Sequence, residues 1–102
     1  SADIKKRVEK AREIQHERFK GTKITCNAKM DSAATKKYCY MSPSALLILK
    51  TAFDRLSLSA RAYDKVLRIA RTIADLDGED EIDVKHITEA IQYRSLDRRF
   101  EE

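Results

Sequence analysis

The sequence predicts an all-α fold, a small helical bundle. Three observations carry this. Helix breakers are scarce, with glycine only at 21 and 78 and proline only at 43. Ala, Leu, Ile, Lys, Arg and Glu are abundant, which favours helices over a turn-rich β fold. Helix-start signals recur, each a capping residue flanked by a pair of apolar residues. At 102 residues, with 42% hydrophobic and 37% charged side chains, the chain has room for one domain with a single core and a heavily charged surface.

The first element is a leading helix over 1–22. Asp3 is its expected cap, Ile4, Val8, Ala11, Gln15 and Phe19 recur at helical spacing, and Gly21 stops it. That stripe is thin and contains polar Gln15, so the helix is expected to lean on the rest and not be enclosed. An irregular stretch follows over 23–41, with an extended piece at Lys23–Thr25 and a short helix from Asp31 to Tyr38. Residues 42–102 then hold three better-signed helices. Ser42 caps the first, with Pro43 at the first helical position and Met41 and Leu46 as a hydrophobic staple. Its expected buried face is Ala45, Leu49, Ala52, Phe53 and Leu56. Ser59 caps the second, with Leu58 and Tyr63 as staple, and Gly78 supplies the left-handed stop. Its stripe is Tyr63, Val66, Leu67, Ala70, Ile73 and Ala74. Asp83 caps the third, with Ile82 and Ile87 as staple and Val84, Ala90 and Ile91 facing inward. The whole reads as one domain, without linker or repeat.

The net charge of +4 permits contact with phosphates without requiring it. Two cysteines, Cys26 and Cys39, are too few for a disulfide scaffold. No apolar run approaches the length of a membrane span, and the charged N-terminal stretch has no signal-peptide core. A cytoplasmic protein with reduced thiols is the expectation.

For chemistry, the glycine shortage excludes a Walker A phosphate loop and a dinucleotide fingerprint, so this chain does not hydrolyse ATP by itself. Arg61 is the leading candidate. It sits in the first turn of a helix, where free N–H groups and the positive dipole end gather, and an anion there would meet both the amides and the guanidinium. Lys65, Arg68 and Thr72 continue down the same face. On spacing alone the alternative is a solvated face, with Asp64 paired to Arg61 or Arg68 and Arg71 paired to Asp75. Cys26, Cys39, His16 and His86 fit no metal-ligand spacing, so no metal site is expected. Tyr38, Cys39, Tyr40 and Met41 suit packing between helices better than base stacking. The acids Asp77, Glu79, Asp80, Glu81 and Asp83 lack the alternation and glycine of a calcium loop and read as a solvated turn.

The runs Arg55–Asp64, Arg68–Leu76 and His86–Arg98, preceded by Val8–Gln15, Arg18–Phe19 and Cys26–Ala28, closely resemble the C-terminal lid domain of magnesium-chelatase-like AAA+ ATPases of the ComM/YifB type. Met30–Ser44 carries little of this likeness. The resemblance implies a bacterial protein that continues upstream of Ser1 with an AAA+ core holding Walker A, Walker B and an arginine finger. Ser59-Ala60-Arg61 matches the sensor-2 motif, which implies that Arg61 touches the γ-phosphate of ATP. Ser59, Lys65 and Arg68 stand beside it as secondary nucleotide-binding candidates. ATP and Mg²⁺ would belong to the longer protein, with none bound tightly by this domain alone. The implied partners are the AAA+ core of the same chain, the neighbouring subunits of a hexameric ring and, through the longer protein, DNA, with no membrane. The implied activity is that of a DNA translocase or branch-migration helicase linked to competence. The alternatives are a stand-alone helical nucleic-acid-binding module and an inert interaction domain. Tyr93–Arg98 marks the family without a physical role that the residues disclose.

Overall fold

The computed structural model describes the backbone of residues 2–96 and the side chains of residues 3–93. Asp97 and Arg98 of the family-marking tail lie outside the described residues. Five α-helices run in order: α1 (Ala2–Arg18), α2 (Ser32–Tyr38), α3 (Pro43–Arg55), α4 (Ala60–Leu76) and α5 (Val84–Leu96), with a 3₁₀ turn at Asn27–Lys29 before α2. Among the described residues there is no strand, and no helix is long and apolar enough to cross a membrane.

The caps form as the sequence predicts. Asp31 accepts the amide of Ala34 at 2.8 Å, Ser42 that of Ala45 at 3.1 Å and Ser59 that of Ala62 at 3.1 Å. Each satisfies one of the orphan N–H groups of a helix start. Replacing Ser59 with alanine is expected to lower domain stability by about 1 kcal/mol, read from urea unfolding. Asp3 differs. The helix already includes Ala2, so Asp3 lies in the first turn, where its charge favours the dipole without capping.

Helix α4 ends by the device that Gly78 predicts. Gly78 takes φ +72°, its amide bonds Asp75 O at 3.0 Å, and Glu79 N bonds Ala74 O at 2.9 Å. Helix α3 ends in the same way on a residue that gives no such signal. Ser57 takes φ +50°, with Leu58 N on Phe53 O at 3.1 Å. Leu56 is thereby the cap of α3 and is exposed, not part of the buried face, whereas Leu58 is the buried residue of this turn.

Helix α4 is the centre of the bundle, packed by α1, α2, α5 and the 3₁₀ turn, while α3 packs on α5. The core gathers Phe19, Met30, Leu49, Val66, Leu67, Ile82 and Ile87 around the small residues Ala45, Ala70, Ala74 and Ala90. The alanines let the helix axes approach closely. Ile4, placed in the α1 stripe by spacing, is exposed, and Ala11 and Phe19 carry the contact instead.

The starts of α3 and α5 are tied together. Met41 and Ile82 form a parallel bridge, with Ile82 N on Tyr40 O at 2.7 Å and Ser42 N on Ile82 O at 3.0 Å. The Ser42 hydroxyl donates to Asp83 at 3.1 Å, and the Asp83 amide donates to His86 Nδ1 at 2.9 Å. The buried His86 therefore plays the reciprocal role in a capping box. With Nδ1 accepting, Nε2 carries the proton and donates to Asp77 at 2.9 Å. This hydrogen bond, then one from Lys85, holds the Asp77 carboxyl below its ordinary pKa.

Candidate site at the start of helix α4

The left-handed Ser57 turns the chain out of α3, buried Leu58 anchors it, and Ser59 starts α4. Arg61 is thereby held in the first turn, exposed to solvent. Among the described residues no ion pair or hydrogen bond engages its guanidinium, and the amides of Ala60 and Arg61 have no acceptor. Ser59 spends its hydroxyl on the cap, so its part in the site is to set this geometry. Guanidinium and free amides together form an arrangement that fits a phosphate oxygen.

The rest of the basic face runs inward from Arg61. Lys65 and Arg68 are half-buried, and the Thr72 hydroxyl donates to Arg68 O at 3.1 Å and accepts from Asn27 at 3.1 Å. Arg68 and Thr72 line a groove of about 500 Å³ with Ile69, Ile73, Ala28, Glu89 and Tyr93. Asp64 pairs with neither Arg61 nor Arg68 among the described residues, so the solvated pairing that spacing allows does not form there.

The other spacing-based pair forms, but not on a solvated face. Arg71 and Asp75 are fully buried, with Arg71 Nη2 3.3 Å from Asp75 Oδ1. Arg18 reaches the same carboxylate from α1 with two hydrogen bonds of 2.7 Å, and Asn27 adds one of 2.8 Å from the 3₁₀ turn. Arg71 also donates to the carbonyls of Asp80 and Glu79 at 2.7 Å each, holding the acidic α4–α5 turn from beneath. Burial pulls the Arg71 pKa down, against the opposing pull of the Asp75 charge. This network escapes sequence reasoning because i,i+4 charge pairs are ordinarily surface features. The available signal is that Arg71 continues the row of Leu67 and adjoins Ala70 and Ala74, inside the apolar arc.

The cysteines and histidines do not converge. Among the described residues no group of three or more His, Cys, Asp or Glu side chains is placed to hold a metal ion. Cys39 is in the core with its thiol 3.8 Å from Leu67 O, and burial pushes its pKa up to about 11. At pH 8 its thiolate is scarce and shielded, so a thiol reagent should modify half-buried Cys26 first and spare Cys39 until the domain unfolds. Mass spectrometry of the singly labelled protein checks this. The aromatic clump divides. Tyr38 packs edge-on against Phe19 at 5.3 Å, whereas Tyr40 is exposed.

The family model described as magnesium chelatase, subunit ChlI C-terminal, matches residues 1–94. The competence protein ComM of Haemophilus influenzae is 41% identical over 98 residues, covering 96% of this chain and 18% of that protein. The uncharacterized protein YifB of Escherichia coli is 39% identical over 98 residues, 96% of this chain and 19% of its own length. An uncharacterized protein of Mycobacterium tuberculosis is 30% identical over 99 residues, 97% of this chain and 20% of its own. The chain thus spans about a fifth of the length of these relatives. With nearly its whole length matched and an all-α fold, the chain belongs to the family of magnesium chelatase ChlI-type C-terminal domains.

Proposed function

We propose that this domain is the lid of an AAA+ ATPase and that Arg61 contacts the γ-phosphate of ATP. The nucleotide and its Mg²⁺ are held by the ATPase core of the longer protein, in the same subunit or a neighbour of a ring. One observation carries the reading. Arg61 is exposed at a helix start, next to two amides without acceptors, and no described side chain neutralises it. ATP supplies the phosphoryl group and the anionic charge. The Arg61 guanidinium offsets that charge as it shifts during transfer, and it registers whether the γ-phosphate is present. When the phosphate leaves, this link is lost and the lid is free to rotate as a body, which turns hydrolysis into motion of the subunit. Lys65 and Arg68, one and two turns further along the face, support the same anion at longer range.

The longer protein is proposed to move DNA, as a translocase or branch-migration helicase. The name of the Haemophilus relative, a competence protein, supports DNA over metal insertion. The test is the steady-state ATPase rate of the longer protein with and without Arg61→Ala.

A further inference from the structure

The net positive charge of this chain is concentrated in one stretch. From Lys20 to Lys37 there are five lysines, Lys20, Lys23, Lys29, Lys36 and Lys37, and a single acid, Asp31. All five are exposed, and none is ion-paired among the described residues. Asp31 turns its carboxylate to the Ala34 amide, so it is engaged at the start of α2. The fold brings the two ends of the stretch together. Phe19 packs on Tyr38, which sets the Lys20 end of α1 beside Lys37, whose ammonium lies 5.3 Å from the centre of the Tyr38 ring. Ile24 packs against the core, and Ala34, Thr35 and Tyr38 face inward, leaving Lys36 and Lys37 outward. Asn27 locks the 3₁₀ turn carrying Lys29 onto Asp75.

We propose that this lysine surface binds the phosphate backbone of a nucleic acid. It goes beyond the ATP reading, because the 3₁₀ turn that carries Lys29 is tied to Asp75 and Thr72 in the last turns of α4, whereas Arg61 is in its first turn. Arg61 and Asp75 are fourteen positions apart along the helix, about 20 Å, while the Lys36–Lys37 end of the stretch lies nearer the middle of α4, where Cys39 Sγ meets Leu67 O. The chemistry selects a phosphate backbone. Lysines are hydrated point charges suited to a repeating anion and read no base edges. Here they are spread along the surface without the interleaved carboxylates that an acidic protein partner would meet elsewhere on this chain, as at Asp77–Asp83.

The 102-residue chain is titrated into a fluorescein-labelled mixed-sequence DNA duplex over a range of salt concentrations, with thermal melting of every variant alongside. The expected result is binding that weakens steeply with salt, and a log–log salt slope that is smaller by about 2 for Lys36→Gln with Lys37→Gln, one phosphate contact being lost per lysine. Lys20→Gln with Lys23→Gln gives a second variant with the same expectation, should the first fail to fold. A Lys50→Gln variant, exposed on α3, should leave the slope unchanged. The proposal is overturned if folded lysine variants keep the slope of the unsubstituted chain. It is equally overturned if polyglutamate displaces the duplex at matched charge, which would assign the surface to an acidic protein.

Discussion

Asp75→Ala is expected to lower domain stability by about 3–5 kcal/mol, the cost of removing one partner from a buried ion pair. The carboxylate has no exposed surface and holds two guanidiniums and an amide, from α1, from α4 itself and from the 3₁₀ turn. Without it, Arg18 and Arg71 become two cations in one pocket with no anion between them. Arg71 is 1% exposed and cannot swing out to water, and its Nε already lacks a partner. Arginine does not escape by losing its proton either. For a domain of this size about 4–8 °C accompanies each kcal/mol, so the melting temperature should fall by roughly 12–40 °C. A total stability of about 5–15 kcal/mol leaves little after such a loss. Circular dichroism melting measures it. A fall of only a few degrees would mean that the network holds α1 in place without net stabilisation. Asp77→Ala is the contrast. Asp77 is partly exposed and its ion pairs with Arg7 and Lys85 are on the surface, where such pairs contribute about 0–1 kcal/mol each, so its main loss is the hydrogen bond from buried His86, about 1–3 kcal/mol.

The difference between Asp75 and Asp77 also explains what the sequence discloses. Caps and stripes are local: Ser42, Ser59 and Gly78 act on amides or dihedral angles within a few residues, so their neighbours in sequence suffice to read them. The Asp75 network joins residues 57 and 48 positions apart, and nothing near Arg18 or Asn27 marks them as its partners. Ser57 is a third kind of case. Its left-handed backbone is local, but it is occupied by a residue that does not advertise it, so helical spacing places Leu56 on the buried face whereas the turn leaves it exposed. The position of Arg61 is legible because Ser59 is. What spacing leaves open is whether Asp64 neutralises the arginine. The packing of α4 answers that by leaving Asp64 unpaired with it.

Arg61→Ala should separate activity from stability in a way that Asp75→Ala does not. In the longer protein, the loss of a guanidinium that offsets charge on the γ-phosphate is expected to lower kcat for ATP hydrolysis by about 10²-fold or more. In the isolated domain the same substitution should leave stability unchanged or raise it by a few tenths of a kcal/mol. The native arginine places a positive charge at the positive end of the α4 dipole, and alanine has the higher helix propensity. It forms no hydrogen bond or ion pair among the described residues whose loss would oppose this gain. A residue that costs its own helix a little and supports turnover strongly is one placed for a ligand. Paired measurements of ATPase rate and of urea midpoint read the two signs. Turnover that survives with assembly intact would remove Arg61 from the ATP site. A clear loss of domain stability would show that Arg61 holds the lid together, and would make any fall in rate secondary to that.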